Sequence, residues 1–572
     1  MSTIYNDPAE FSEDATAGFV DLYSSYVRPV TGGVVRRRRS RRPKVAIVTG
    51  GGSGHYPAFC GVVGPGFADG SVIGNIFTSP STAQAYSVGR AADSGAGVIF
   101  TYGNYAGDVM NFGLAGERLQ AEGVDARQVI ITDDVASAPA AELDKRRGIA
   151  GDFVVFKTMS AAAERGDDID TVERIGNHTN ARTFTIGLAF DGCTFPGADH
   201  KHFTVPEGKM GLGLGIHGEP GLRDVDWMPA DQLGELMVDR LLQERPAASA
   251  GRVAVILNGL GATKYEELFV LWAAVAPRLR AAGLELVAPE VGELVTSLDM
   301  AGVSLTLTWL DDELQELWLA PCDTPAFTRG VVQAGSEGDI EEAVEEEAGE
   351  IPVEVIGDEE SRACAARILT GLQAVHDVVH ENEDYLGRID AVAGDGDHGR
   401  GMARGVDHAV RAAAAAVEAG WGAAGVLAEA GDAWAEHAGG TSGVLWGAGL
   451  RSFGTALGNA GTPTTHQVVA AAQGYLDALT GLGKAEVGDK TLVDAVVPFV
   501  EALRTGVESG ARLEVAWSQA VSAADTAAQA TADLTPKKGR ARPLAERSLG
   551  TPDPGAVSFV LAVRAVGQTL TG

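Results

Sequence analysis

Between Val331 and Glu360 the chain carries twelve acidic residues, beginning at Glu337, and neither lysine nor arginine. Like charge at this density repels itself and packs poorly into a core, so the stretch reads as an extended linker. The competing reading is a charged surface helix through IEEAVEEEAGE (residues 340–350). On either reading the block separates two cores. The expected organisation is a first domain over 1–328, an acidic linker over 329–357 and a second domain over 358–572.

The two sides differ in periodicity. Before the block, short β-branched runs end in glycine turns and lead into helix-like segments. KVAIVT (Lys44–Thr49) runs into GGGSGH, GVIFTY (Gly97–Tyr102) into GNYAGD, and RVAVILN (Arg252–Asn258) into GLGATKYEELFVLW. This predicts an α/β domain of two subdomains, roughly 1–185 and 186–328. After the block, alanine-rich helical periodicity takes over, as in RACAARILTGLQAVHDVVHENEDYL and ARGVDHAVRAAAAAVEAG. The second domain is therefore expected to be mostly α-helical.

A net charge of −32 makes bulk nucleic-acid or anionic-membrane binding a poor expectation. The one basic run, Arg36 to Arg39 with Arg41, Arg42 and Lys44, precedes an apolar strand and reads as a solvated edge. Four cysteines (Cys60, Cys193, Cys322 and Cys364) lie far apart without a C-x-x-C pair, which fits a reduced compartment with neither a disulfide frame nor a zinc site. The acidic start MSTIYNDPAEFSED lacks the features of a signal peptide, and no apolar run reaches membrane-spanning length. A cytoplasmic location follows as the expectation.

The segment Asp390-Ala-Val-Ala-Gly-Asp395-Gly-Asp397-His398-Gly399 places three carboxylates within eight residues around two glycines. Asp is a hard oxygen ligand on a short stem, and the glycines let the carboxylates converge, which suits Mg²⁺. The competing reading is an exposed acidic turn. Gly439-Gly440-Thr441-Ser442-Gly443 lies between two helical stretches and reads either as an anion-binding helix start or as a plain turn. Lys537-Lys538-Gly539-Arg540, upstream of Asp553-Pro554-Gly555-Ala556, offers phosphate neutralisation or a solvated charge run. A P-loop, a protein-kinase motif set, an EF-hand and a nucleophile elbow are all missing from the sequence. In the first half, His55 follows a glycine run after a strand, Asp108 follows another strand, and His217 lies in a third glycine cluster. The spacing Gly213-x-Gly215-x-x-Gly218 fits a dinucleotide fingerprint by letter, but no β-branched strand precedes it. Together these segments point to a polar small-molecule site.

Nine segments in order resemble the dihydroxyacetone kinase family in its ATP-dependent, two-domain fused form. They are TGGGSGH (49–55), NYAGDVMNF (104–112), RRGIAGD (146–152), GIHGEPG (215–221), TSLDMAG (296–302), GDGDHG (394–399), GGTSG (439–443), GDKTLVDA (488–495) and GRA with DPGA near the end. The resemblance implies that His217 attacks the carbonyl carbon of a short sugar and holds it as a covalent hemiaminal. It implies that Asp108 accepts the proton of the attacking hydroxyl, that His55 is its hydrogen-bonding neighbour, and that Gly52, Ser53, Gly54, Gly103 and Asn104 line the substrate. It assigns Asp390, Asp395 and Asp397 to Mg²⁺, and His398, Gly440, Thr441, Ser442, Gly443, Arg540 and Asp553 to ATP. It further implies a helical-barrel nucleotide domain and a homodimer.

Two departures bear on the substrate. Family members usually read GHEPAH where this chain has Gly54-His55-Tyr56-Pro57-Ala58-Phe59, and place a lysine where this chain has Gly103. Loss of a long cationic side chain predicts an enlarged pocket. The favoured substrate is then erythrulose, in the D form, giving erythrulose 4-phosphate. The alternatives are unchanged dihydroxyacetone specificity, with neighbouring side chains filling the space, and a non-catalytic sugar sensor.

Overall fold

The computed structural model describes residues 4–40, 42–247, 249–332, 340–342, 356–394, 396–538 and 547–570. The chain forms two compact units, Met1–Ala348 and Gly349–Gly572.

The first unit is α/β. Its first sheet comprises β1 (Val27–Val30), β2 (Gly33–Arg36), β4 (Ala46–Ser53), β5 (Gly70–Ile76), β6 (Val98–Gly103) and β7 (Ala126–Ile131), in the order β1-β2-β5-β4-β6-β7. The four strands from β5 to β7 are parallel. The short β3 (Arg38–Ser40) stands outside this sheet. The second sheet comprises β8 (Thr183–Ala189), β9 (Lys209–Leu212), β10 (Arg223–Asp226), β11 (Arg252–Gly259), β12 (Glu285–Leu286), β13 (Glu290–Gly292) and β14 (Gly302–Leu310). Its long pairings, β8 with β14 and β14 with β11, are antiparallel. The expected division at 185/186 thus falls inside β8. Helices α1 (Phe11–Leu22), α2 (Thr82–Ala92), α3 (Ala106–Ala121), α4 (Asp152–Arg165), α5 (Ile169–Asn180), α6 (Ala230–Leu242), α7 (Tyr265–Ala281) and α8 (Asp312–Leu319) complete the unit.

Strand alternation shows why the two sheets form one body. Val253, Val255 and Leu257 of β11 face a core with α6 and α7, while Ala254 and Ile256 face α4. Ile47 of β4 and Ile99 of β6 meet α4 from the first sheet. Every residue of α4 from Asp152 to Ala163 is buried, as a helix between two sheets requires.

The basic run is only partly a solvated edge. Arg36 is buried and paired with Asp69 (3.2 Å) and Glu164, and Lys44 lies 2.7 Å from Asp69. Burying these cations is tolerable because carboxylates and backbone carbonyls surround them. Within the acidic stretch, Ile340–Glu342 forms a short strand antiparallel to β3, with Glu341 opposite Arg39 and Glu342 opposite Arg38. Most of the expected linker, residues 333–339 and 343–355, lies outside the described residues.

The second unit is all-helical: α9 (Glu359–Asp390), α10 (His398–Glu418), α11 (Ala423–Ala438), α12 (Gly440–Leu457), α13 (Thr465–Gly483), α14 (Val493–Glu508), α15 (Leu513–Ala530) and α16 (Pro554–Thr569). Each helix packs on the next and α16 closes on α9, which makes a barrel. Small residues bring α11 and α12 together, since a Cβ at Gly447 would stand 2.4 Å from the Gly431 carbonyl. Trp434 and Trp446 stack inside the ring at 5.1 Å.

Candidate active site

The glycines after KVAIVT belong to the strand rather than to a turn beyond it. β4 continues to Ser53, paired with β5, and a Cβ at Gly52 would lie 2.5 Å from the Thr78 nitrogen. Gly54, at φ +102°, then swings the chain off the sheet and presents His55.

His55 is buried, with Nδ1 2.7 Å from the Thr296 carbonyl and Nε2 3.0 Å from Nε2 of His217. Nδ1 of His217 lies 3.0 Å from Glu219 Oε1, and its backbone N–H donates to Glu219 Oε2 at 3.0 Å. Arg147 stands 3.8 Å from the same carboxylate while donating twice to Asp134, at 2.8 and 3.0 Å. Phe77 stacks on His55 and meets His217 edge-on; Tyr105 also meets His217 edge-on, with centroids 5.0 Å apart. The structure therefore joins His55 and His217 and adds Thr296, Glu219, Arg147 and Asp134 behind them.

Electrostatics follow from this dry, ordered setting. Burial, reinforced by the neighbouring His217, pushes His55 down to about 3. Burial alone would raise Glu219, but His217 and Arg147 hold it well below the usual carboxylate range. Both trends favour a neutral His55 and an ionised Glu219.

Asp108 is buried in the first turn of α3, just after Tyr105. Its carboxylate acts on Asp152, which burial, then Asp133 and Asp108, push well above the carboxylate range. Asp133 itself accepts from the N–H groups of Ile149 and Gly151, both at 2.8 Å. Asn104 donates to the carbonyls of Asp144 and Arg146 at 2.9 and 2.8 Å, so its amide holds the loop that carries Arg147. The Ser53 hydroxyl oxygen is buried with no hydrogen-bond partner among the described residues.

The two departures do not open space beside His217. A Cβ at Gly103 would meet the Gly148 carbonyl and the Tyr105 ring, each at 3.0 Å. Tyr56 is half-exposed and packs near Phe19 of α1, with centroids 6.1 Å apart.

In the second unit, Asp390 ends α9, Asp397 is the N-cap of α10, and His398 begins that helix. Gly399 is needed for the crossing, because a Cβ there would stand 2.1 Å from the Glu383 carbonyl of α9. His398 Nε2 lies 3.0 Å from the Ser558 hydroxyl of α16. Asp553 caps α16 by accepting from the Ala556 N–H at 2.8 Å, and burial, then Asp494 and Asp390, push it up to about 7. Gly440, Thr441, Ser442 and Gly443 form the first turn of α12, after Gly439 at φ +70°. Helix start and tight turn are thus one feature, whose first N–H groups lack intrahelical partners. Asp395 and Arg540 lie outside the described residues.

Mg²⁺ and nucleotide phosphates suit this end of the barrel. Desolvation and then the Asp390 carboxylate push Asp397 up to about 6, and a bound cation offsets the carboxylate repulsion. Sequence reasoning did not single out Lys490 and Asp494 here. Lys490 is buried, donates to the Ser548 carbonyl at 2.7 Å, and draws Asp553 down against the effect of burial. Asp494 accepts from the N–H groups of Gly488 and Thr491 at 2.6 and 2.7 Å. Both lie in GDKTLVDA, and their charges inside an apolar helical pattern were the available signal.

Comparison with known proteins agrees with this architecture. Residues 17–326 match the Dak1 domain and residues 392–568 the DAK2 domain. The chain is 56% identical to a D-erythrulose kinase of Mycolicibacterium smegmatis, over all of this chain and 99% of that one. It is 51% identical to an L-erythrulose kinase of Pectobacterium atrosepticum, over all of this chain and 97% of the other. The crystal structure of the dihydroxyacetone kinase from C. freundii in complex with AMP-PNP and Mg²⁺ aligns over 99% of both chains, with a TM-score of 0.53 and 28% identity. By domain content, order and full-length similarity, this chain belongs to the dihydroxyacetone kinase family, in its ATP- and Mg²⁺-using form with both domains on one polypeptide.

Proposed function

We propose that the protein transfers the γ-phosphoryl group of ATP to a terminal hydroxyl of erythrulose held on His217. The carrying observation is the contact of His217 Nε2 with His55 Nε2 at 3.0 Å, with Glu219 on the far side of the His217 ring. The choice of a four-carbon ketose rests on the full-length relatives named as erythrulose kinases, and the D form on the more similar of the two.

Hydrogen-bond accounting supports a proton-coupled addition. Three contacts (Thr296 to His55, His55 to His217, and His217 to Glu219) need three protons, while two neutral imidazoles carry two. The third makes His217 a cation, balanced by the Glu219 carboxylate. As the ketone arrives, the proton on His217 Nε2 passes to His55 Nε2. The freed lone pair forms the N–C bond, the C=O π pair moves to oxygen, and that oxygen takes the proton back from His55. The product is a neutral hydroxyl on an N-alkylated imidazolium that still faces Glu219, so atoms and charge balance. The Ser53 hydroxyl, with Gly52, Gly54 and Gly103 forming the backbone wall, serves a substrate hydroxyl. Asn104 and Arg147 act as positioning residues.

Asp108 accepts the proton of the attacking terminal hydroxyl. Asp390 and Asp397, with Asp395, hold Mg²⁺, which when bound neutralises phosphate charge during transfer. His398, the first turn of α12 from Gly440 to Gly443, Asp553 and Arg540 surround the nucleotide. We assign 1–328 to substrate binding, 329–357 to a linker and 358–572 to nucleotide binding, and by family resemblance expect a cytoplasmic homodimer. Among the described residues no helix is long and apolar enough to cross a membrane.

The test compares kcat/KM for D-erythrulose, L-erythrulose, dihydroxyacetone and glyceraldehyde with Mg-ATP, and locates the phosphate on the product by NMR. Preference for an erythrulose and a 4-phosphate product is expected. Preference for dihydroxyacetone overturns the four-carbon assignment, and absence of turnover on all four overturns the kinase reading. With [2-¹³C]erythrulose, loss of the ketone resonance to a hemiaminal signal in wild type, absent in His217→Ala, is expected. A retained ketone signal overturns the covalent step.

A further inference from the structure

α9 and α10 run side by side away from the Asp390–Asp397 loop and carry a second group of ligating side chains. His376 and His380 lie one helical turn apart on α9, with ring centroids 4.5 Å apart. Asp407 faces them from α10, its Oδ1 3.1 Å from His376 Nε2 and 2.8 Å from His380 Nε2. One donor atom from each residue falls within 4.8 Å of the others. Ligands about 2.0–2.2 Å from a tetrahedral zinc ion stand roughly 3.3 Å apart or a little more, so the contacts to Asp407 need open by only about half an ångström to frame such a shell.

The surroundings carry a second, independent signal. Asp377 Oδ1 lies 2.9 Å from His376 Nδ1, within hydrogen-bond reach, whereas Glu383 Oε2 stands 3.9 Å from His380 Nδ1 and adds only negative charge nearby. A carboxylate that holds Nδ1–H turns the Nε2 lone pair toward a metal and raises its basicity. Both nitrogens of His376 face carboxylate oxygens, two acceptors for the one proton of a neutral ring; a cation at Nε2 takes the place of the second proton. The three side chains are partly exposed, so an ion enters from solvent and water completes its shell.

We propose that His376, His380 and Asp407 bind one divalent transition-metal ion of the zinc class, with Asp377 as the orienting carboxylate. Imidazole donors select such ions over Mg²⁺, which separates this site chemically from the aspartates of the nucleotide end. His380 precedes Asp390 by ten residues and Asp407 follows Asp397 by ten, so the ion clamps the two helices that present that loop.

The test titrates the full-length protein, saturated with Mg²⁺ and AMP-PNP, with Co²⁺ and follows its visible d–d absorption. One Co²⁺ per chain with the intense bands of low coordination number, displaced by Zn²⁺, is expected. His380→Gln and Asp407→Asn should each weaken binding by more than about tenfold and abolish the Tm rise on adding Zn²⁺, with kcat in Mg-ATP assays free of transition metals unchanged. Absence of the bands overturns the proposal, as does a spectrum indifferent to His376→Gln and His380→Gln. Loss of the bands only in His408→Gln, at the stacked His408–His437 pair, also overturns it.

Discussion

The imidazoles of His55 and His217 meet Nε2 to Nε2 at 3.0 Å, while the Thr296 carbonyl and Glu219 hold their outer nitrogens at 2.7 and 3.0 Å. Neither ring can change its protonation without the other responding. A carbonyl oxygen entering beside them meets a proton held between two imidazole nitrogens.

The first prediction concerns pH and stability. His55 falls from its ordinary 6.5 to about 3 through burial and then His217. Between those values the unfolded chain binds a proton that the folded chain does not, so stability rises with pH across that window and this contribution is flat above it. His55→Asn should give a shallower slope of Tm against pH between about 4 and 6.5 than wild type. An identical slope refutes the assignment of a neutral buried ring.

Glu219→Gln keeps an acceptor near His217 Nδ1 but removes the charge that balances the imidazolium. A charge-assisted hydrogen bond contributes about 1.5–3 kcal/mol, so kcat/KM should fall roughly 10- to 150-fold. The ¹³C hemiaminal signal should weaken in parallel. Full activity with an unchanged signal would remove Glu219 from the mechanism.

Ser53 carries a buried hydroxyl without a protein partner among the described residues. Ser53→Ala should therefore leave Tm unchanged while raising KM roughly two- to tenfold, the worth of one neutral hydrogen bond. A clear fall in Tm with KM intact would assign the hydroxyl a structural role.

Gly103 is hemmed in, since a Cβ there would stand 3.0 Å from both the Gly148 carbonyl and the Tyr105 ring. Gly103→Ala should cost about 1–3 kcal/mol in urea unfolding through overpacking, without converting the preference from erythrulose to dihydroxyacetone. A switch in the kcat/KM ratio at unchanged stability would restore the enlarged-pocket argument.

Asp397→Asn relieves repulsion with Asp390. Without Mg²⁺ the variant should melt at or above the wild-type temperature, while its Mg²⁺ requirement rises and kcat falls by about a hundredfold or more. Wild-type turnover at ordinary Mg²⁺ would sink the metal assignment.

Local signals made much of this legible. Asp390 and Asp397 flank glycines, and His55 and His217 sit in glycine-rich turns, so residue type and spacing pointed to chemistry without coordinates. Periodicity separated the α/β half from the helical half. Gly50–Ser53 looked like a turn because glycine is usually counted against strands, yet β5 and the turn at Thr78 require that absent side chain. Arg36 looked solvated because its neighbours are basic, and its partners Asp69 and Glu164 lie far along the chain.

The sequence by itself determined the two-part organisation, the helical character of the second part and the identity of the reactive side chains, because composition, periodicity and glycine spacing are local properties. Only the tertiary structure decided that His217 faces a histidine 162 residues away, and that Arg147, anchored by Asp134, stands behind Glu219. It also decided that Gly103 is tightly packed. Contacts of 3 Å between distant residues depend on how two sheets close over α4, and no periodicity along the chain encodes that distance.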